Sequence, residues 1–203
     1  MGPSPESRLW TRALAAVLLT AALAQGANAD VTAYAKSLQL TATGGPTRAE
    51  HQHDWRKLVA VVRAFDARSG KRLFERKSPA LTTLWVTPDG EYVVGLSRIK
   101  FANPSQVVIL RRDGTLVHEQ AVRCDALRAS GGFCSESKTN FIHWFDTAQP
   151  EIELATDGGR PMELSVKATR NPLCDPVREW LSEAEKQKCS RPPERVRLRL
   201  SVP

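Results

Sequence analysis

The sequence lacks the long apolar segments and the catalytic signatures that identify many membrane proteins and enzymes. No hydrophobic run among its 203 residues reaches the roughly 20 residues that a membrane-spanning helix needs. The nucleophile-elbow pattern Gly-x-Ser-x-Gly, the phosphate-binding loop and the zinc-protease pattern His-Glu-x-x-His are all missing. We therefore expect neither a transmembrane bundle nor an enzyme of the classes that these patterns define.

The composition is that of an ordinary globular domain. Hydrophobic residues make up 41% of the chain and charged residues 25%, which excludes a disordered or fibrous protein. The formal net charge is +7. A chain of this length buries one good hydrophobic core, so we predict a single β-rich domain over residues 30–203.

The first 29 residues have the organisation of a secretory signal peptide. Arg8 and Arg12 precede the apolar residues 13–24, and Ala27 and Ala29 supply the small-x-small pattern that signal peptidase accepts. As a helix the apolar run would span only about 18 Å, short of a hydrocarbon core of about 30 Å, which argues against a membrane anchor. We predict cleavage after Ala29 and a periplasmic or secreted protein.

Four cysteines follow the predicted cleavage site: Cys124, Cys134, Cys174 and Cys189. An even number of cysteines in an oxidising compartment favours two disulfides. Of the three connectivities we favour Cys124 with Cys134, across a glycine-containing turn, and Cys174 with Cys189. A continuous helix would hold the second pair about 22 Å apart, so that bridge requires a chain reversal near Ser182. The alternative, a zinc site, would need a close Cys-x-x-Cys spacing that is missing.

Turn signals between short apolar runs predict an all-β fold. Hairpins are expected around Arg-Ser-Gly at 68–70, Pro-Asp-Gly at 88–90, Asp-Gly at 113–114 and Asp-Gly-Gly at 157–159. A last strand alternates strictly, with apolar residues at positions 196, 198, 200 and 202 on one side and arginines at 195, 197 and 199 on the other. The sequence therefore predicts a sandwich or barrel-like domain of about nine or ten antiparallel strands, with a short helical clip over 175–188.

Residues 65–71 (FDARSGK) and 85–94 (WVTPDGEYVV) resemble the strand–turn–strand segments of β-propeller blades. The chain is also similar to uncharacterised secreted bacterial proteins that carry a stretch like residues 94–100 (VGLSRIK) followed by Asn-Pro at 103–104. The resemblance covers about residues 59–134. A complete propeller needs at least about four blades of roughly 40 residues each, so the resemblance implies blade-like hairpins and assigns no catalytic residue.

The segment His51, Gln52, His53 and Asp54 is the best candidate for a metal site. Alternate residues of an extended chain point the same way, so both imidazoles could face one ion with Asp54 nearby. Nothing in the sequence identifies the further ligands that such a site needs. We therefore favour a solvated polar turn between two strands and predict no metal or other cofactor.

Residues 141–146 concentrate aromatic side chains beside titratable ones. Read as a strand, the segment puts His143 and Trp144 on opposite faces, and either face could line a binding cleft. The favoured interpretation is a strand buried on both sides, with His143 hydrogen-bonded in place. An envelope hydrolase that uses His143 with Ser137 or Asp146 is the alternative functional class.

Two further segments carry candidate binding residues. Arg98, Lys100 and Asn103 lie on the polar loop 97–105, and loops between strands often bind ligands. On the last strand the cationic residues share one face at spacings of about 7 Å: Arg195, Arg197 and Arg199. This arginine ladder suits an acidic protein or an anionic envelope polymer, or it protects an edge strand from pairing.

These observations predict an exported β-rich protein that acts by binding and not by catalysis, as an interaction, inhibitor or immunity-type protein. Nucleic acid is not an expected partner, because an exported chain rarely meets it and the aromatic interleaving typical of base stacking is missing. A purely structural envelope protein is the third class, and it would tolerate charge reversal along the arginine ladder.

Overall fold

A computed structural model describes residues 38–129, 133–137, 140–169, 182–190 and 195–200 of the chain. The predicted signal peptide, Cys174 and the side chain of Cys189 lie outside these residues. The cleavage site and the second disulfide therefore stay predictions.

The described strands form four antiparallel sheets, and strands that follow one another in a sheet also follow one another in the chain. Sheet I contains β1 (Leu38–Gly44), β2 (Thr47–Asp54), β3 (Val59–Asp66) and β4 (Arg72–Lys77). Sheet II contains β5 (Thr83–Val86), β6 (Tyr92–Leu96), β7 (Val107–Arg111) and β8 (Leu116–Gln120). A two-stranded ribbon consists of β9 (Ser135–Glu136) and β10 (Ile142–His143), and sheet III of β11 (Ile152–Asp157), β12 (Arg160–Lys167) and β13 (Arg195–Arg199). The predicted all-β class is confirmed.

Sheet II is covered on both faces. In β6, Val93 packs with residues of sheet I, whereas Val94 and Leu96 pack with residues of the ribbon and sheet III. All five residues of β6 are buried, and β7 divides its apolar side chains in the same way. A strand covered on both faces has a continuous run of apolar residues, whereas in β2 and β13 buried side chains alternate with more exposed ones. Sheets I, II and III therefore stack as three layers, with sheet II in the middle.

Two turns bring sheets I and II into close contact. The hydroxyl of Thr47, just after the β1–β2 turn, donates a 2.8 Å hydrogen bond to the carbonyl of Gly90 in the β5–β6 turn. A Cβ on Gly44 would overlap the Thr87 carbonyl oxygen and lie 2.7 Å from that of Val86. Glycine at this position is therefore required by the approach of the two backbones.

The described residues include two short helices between strands. Helix α1 (Cys124–Ala129) starts at the first half of the Cys124–Cys134 disulfide, which is confirmed with a Cα separation of 5.2 Å. Helix α2 (Glu183–Ser190) lies at the end of the predicted helical clip, of which residues 175–181 lie outside the described part of the chain, and the Ser182 carbonyl accepts a hydrogen bond from the N–H of Lys186. No helix among the described residues is long and apolar enough to cross a membrane.

The hairpin of β1 and β2 is the main element that the sequence interpretation missed. The predicted polar turn at residues 51–54 is wrong, because these residues end β2, where His51 is 1% and His53 6% exposed. Polar residues dominate β2, so its alternation was hidden until the burial of each side chain was known. With β1, β2 and the short β9, the described residues contain thirteen strands instead of the nine or ten predicted.

Candidate functional site

A cleft of about 280 Å³ opens at one end of sheets I and II. Its first wall is the end of the β2–β3 hairpin, with Trp55 and Leu58, and its second is the loop after β6, with Phe101. The Trp55 and Phe101 rings face one another at an angle of 59°, with centroids 6.0 Å apart. Residues 77–80, which are the last residue of β4 and the three that follow it, form the floor. We call this feature the aromatic cleft.

Large apolar side chains of the aromatic cleft are exposed to solvent. Leu58 is 57% and Phe101 52% exposed, and the adjacent Val59 is 43% exposed. Apart from Met162, which lies on sheet III, these are the large hydrophobic residues exposed among the described part of the chain. Clustering of exposed apolar groups in one concavity is typical of an interaction site, whereas single exposed residues are common everywhere.

Strained backbone occurs at both walls of the aromatic cleft. Leu58 has a φ of 52° and Ala102 a φ of 51°, in the left-handed region that residues with a Cβ seldom occupy. On the first wall, the Asp54 carboxylate accepts hydrogen bonds from the N–H groups of Arg56 and Lys57 and so holds the turn. Although partial burial acts to raise its pKa, these hydrogen bonds and the charge of Lys57 hold the pKa of Asp54 below its ordinary value. Strain of this kind is often found at functional sites.

Asn103 holds the second wall in place. Its side-chain nitrogen lies 3.0 to 3.1 Å from the carbonyl oxygens of Ala80, Ile99 and Ser105, and its side-chain oxygen accepts a 2.9 Å hydrogen bond from the N–H of Ala80. Gln106 adds hydrogen bonds from the other end of the loop. Asn103 is 8% exposed, so these bonds lie in a buried environment where they are costly to lose. Asn103 therefore has a structural role in the loop, and the prediction that it also contacts a ligand stays a prediction.

Two neutral histidines of β2 lie at the aromatic cleft: His53 lines it, and His51 lies deeper. Burial, with a further contribution from the charge of His53, lowers the pKa of His51 to about 4, and burial also lowers the pKa of His53. The Nε2 atom of His51 accepts a 3.3 Å hydrogen bond from the N–H of Leu81, just beyond the cleft floor. Both rings are therefore uncharged near neutral pH. No cluster of metal-binding side chains is found among the described residues.

The structure brings Arg98, Lys100 and His143 together on the other side of the same loop. The Arg98 guanidinium contacts the Nδ1 atom of His143, and Lys100 forms an ion pair with Glu136 of the ribbon. A backbone hydrogen bond also joins the ribbon to this loop, because the carbonyl of Arg98 accepts a hydrogen bond from the N–H of Ile142. These three predicted binding residues therefore connect the loop to the ribbon.

Most residues of the segment 141–146 are buried, as the favoured interpretation predicts, but the strand itself contains only Ile142 and His143. Trp144 is 0% exposed and donates its indole N–H to the carbonyl of Ser97 at 2.9 Å. The hydroxyl of Ser137 accepts hydrogen bonds from two backbone N–H groups, and the Asp146 carboxylate caps the following turn. Because a guanidinium only donates, the Nδ1 atom of His143 accepts a hydrogen bond from Arg98. In a Ser-His-Asp triad, Nδ1 of the histidine instead donates its hydrogen to the carboxylate.

The arginine ladder lies on the edge strand of sheet III, with Val196 and Leu198 buried between its members as the alternation predicts. Its first member, Arg195, bonds to the Ser165 hydroxyl at 2.8 Å and pairs with Glu153 at 3.2 Å. Glu153 of β11 and the preceding Glu151 thus compensate the charge at this end of the ladder, whereas the other two arginines are exposed.

Sequence reasoning missed Trp55, Leu58 and Phe101. Trp55 and Phe101 are isolated aromatic residues between polar ones, and Leu58 directly precedes the apolar run of β3, so none of the three is distinguished in the sequence from an ordinary loop or strand residue. The signal that was available is their proximity to charged neighbours, Arg56 and Lys57 on one wall and Lys100 on the other.

Comparisons of this chain with models of known protein families, with curated proteins and with solved structures found no match.

Proposed function

We propose that this chain is an exported, non-catalytic binding protein and that the aromatic cleft is its binding surface. The observation that carries the proposal is the concentration of exposed Leu58 and Phe101 around one cavity. Exposing such side chains is unfavourable in water, at about 25 cal/mol per Å² of apolar surface, and a partner that covers them recovers this free energy.

The walls of the aromatic cleft are held rigidly enough to act as a preformed site. Asn103 ties the loop to the cleft floor, and Asp54 ties the opposite turn. A preformed site avoids most of the entropy that is lost when a flexible loop becomes ordered on binding. This arrangement supports an interaction or inhibitor-type role, in which a rigid surface recognises one partner.

Export is part of the proposal and has two supports. The first 29 residues carry the charge and hydrophobicity pattern of a signal peptide. The Cys124–Cys134 disulfide persists in an oxidising compartment such as the periplasm, and would be reduced in most cytosols. An envelope or extracellular partner therefore suits this protein.

Affinity capture from an envelope extract of the host tests the proposal. The purified protein and two variants, Phe101→Ser and Met162→Ser, are immobilised and washed at low and high salt. Met162 is 45% exposed on sheet III, so its variant is a matched control for losing an exposed apolar side chain. We expect the protein and Met162→Ser to retain one component at near equimolar amount and Phe101→Ser to lose it. Equal retention by all three, or retention by none, would overturn the proposal.

Turnover assays on the same preparations address the hydrolase alternative. Hydrolysis of a cell-wall or ester substrate that falls about 100-fold or more in a His143→Ala variant would favour an enzyme over a binding protein. If the protein acts by binding, we expect no turnover above background. The His143→Ala variant should then change only the stability, because it removes the contact between Arg98 and His143.

A further inference from the structure

We infer that the occupant of the aromatic cleft is a polypeptide segment that inserts one apolar side chain and carries carboxylates beside it. This inference rests on the proposed function and adds the chemistry of the partner. It depends on three features of the cleft: the charges around its rim, its volume and its polar floor.

Cationic residues lie in or next to the segments that form the aromatic cleft. Lys77 lines it, and Arg56 and Lys57 lie in the turn that carries Leu58, whereas Lys100, which precedes Phe101, points to Glu136 on the other side of the loop. All four are exposed. An apolar centre with a cationic rim complements an apolar side chain that has acidic neighbours.

Two of these cations are not compensated within the protein. Lys57 pairs with Asp54 and Lys100 with Glu136. No ion pair among the described residues includes Arg56 or Lys77. The acidic residue that lines the cleft, Glu119, keeps its negative charge while it accepts a 2.7 Å hydrogen bond from the hydroxyl of Ser105, so Arg56 and Lys77 together exceed it by one positive charge. Arg56 and Lys77 are therefore the cations available to a partner's carboxylates.

The volume favours a side chain over a larger ligand. At about 280 Å³ the cleft lies just below the range of roughly 300 to 1,000 Å³ that is usual for small-molecule sites. A single leucine, phenylalanine or tryptophan side chain fits such a space. The exposed edges of Leu58 and Phe101 would cover the sides of the inserted group.

The cleft floor favours a polypeptide over a lipid surface. The floor segment 77–80 and the loop above it are joined by the hydrogen bonds of Asn103, so the site is a fixed depression. Membrane-binding proteins usually project apolar side chains outward into the headgroup region, whereas a depression receives a projecting group. An anionic membrane is the competing occupant, and the experiment includes it.

Selection from a displayed library of random 12-residue peptides tests the inference. The library is selected on the immobilised protein after depletion on the Phe101→Ser variant, and the procedure is repeated with Leu58→Ser. Both substituted residues are more than half exposed, so both variants are expected to fold. We expect enriched peptides with one large apolar residue flanked by Asp or Glu.

The affinity of the leading peptide is then measured with charge variants. We expect binding to weaken about fivefold to tenfold in a double variant, Arg56→Ala with Lys77→Ala, and to weaken with added salt. Arg68→Ala is the matched control, because Arg68 is an exposed cation in the β3–β4 turn. Unchanged affinity in the double variant would overturn the inference.

The remaining outcomes separate the inference from the proposed function. Enriched peptides that need Phe101 but carry neutral or basic flanks would overturn the inference and leave the cleft as a binding surface. If no peptide is enriched over the Phe101→Ser variant, the inference is overturned. Vesicles of phosphatidylglycerol that bind the protein but not Phe101→Ser would then identify a membrane as the occupant.

Discussion

At the scale of single residues, His51 combines almost complete burial with a titratable ring. It is 1% exposed, and its Nε2 atom accepts the N–H of Leu81, so the neutral ring carries its proton on Nδ1. Protonating Nε2 would convert this acceptor into a donor that faces another donor. Burial of a charged ring and loss of that hydrogen bond both oppose the imidazolium form.

We expect this histidine to make the protein sensitive to mild acid. Its pKa falls from 6.5 to about 4 on folding, so between these values the unfolded chain binds more protons than the native protein. The free energy of unfolding should therefore decrease as the pH falls from about 6.5 to about 4, by up to about 3 kcal/mol. Urea unfolding at a series of pH values measures this loss.

A His51→Gln variant is the control for the acid effect. Its side-chain oxygen can accept the N–H of Leu81, but it does not titrate. The variant should lose most of the decrease, and a smaller part should remain because burial also lowers the pKa of His53. A decrease as steep as that of the original protein would show that another group is responsible.

At the scale of elements, the contact between the β1–β2 and β5–β6 turns determines how sheet I packs on sheet II. The approach is so close that Gly44 has backbone carbonyl groups where a Cβ would lie. Thr47 is completely buried at the same contact and bonds across it to Gly90. The packed aliphatic side chains of the two sheets extend from this contact.

A Gly44→Ala substitution should therefore destabilise the protein by about 2–3 kcal/mol, because the turns must separate to admit the methyl group. Gly158→Ala is the matched control: Gly158 has a φ of 55° but nothing within 4 Å of its potential Cβ. This control carries backbone strain without a clash, and should cost about 1 kcal/mol. Equal losses in the two variants, measured by denaturant unfolding, would contradict the proposed role of the contact.

At the scale of the whole molecule, three stacked layers with a buried central sheet explain how the chain forms its cores. Sheet II contributes one face to the core with sheet I and the other face to the core with the ribbon and sheet III. Helix α1 and its disulfide cover part of the second core, where Cys124 and Leu127 are buried.

Processing and disulfide formation are predictions for the molecule as a whole. Protein isolated from its host should begin at Asp30, and non-reducing peptide mapping should recover Cys124 with Cys134 and Cys174 with Cys189. Amino-terminal sequencing and mass spectrometry measure both. Retention of residues 1–29 would contradict the predicted export signal, and a peptide that joins Cys134 to Cys189 would contradict the predicted pairing.

Much of the local structure could be predicted from the sequence. The four glycine-containing turns lie between strands as expected, the last strand alternates as expected, and the Cys124–Cys134 bridge forms. The aromatic cleft could not be predicted in this way. Trp55 follows β2 of sheet I and Phe101 lies in the loop after β6 of sheet II, and the two residues meet only because these segments pack beside one another.

The sequence by itself determined the strands and turns that have local causes. A glycine that permits a tight turn and a period of two in side-chain polarity act over a few residues, so they can be read along the chain. Only the tertiary structure decided that His51 and His53 are buried, that Arg195 pairs with Glu153 and that Leu58 and Phe101 share an exposed cavity. These properties depend on contacts between residues that are distant in sequence, and solvent exclusion and charge compensation arise from such contacts only after the layers have packed.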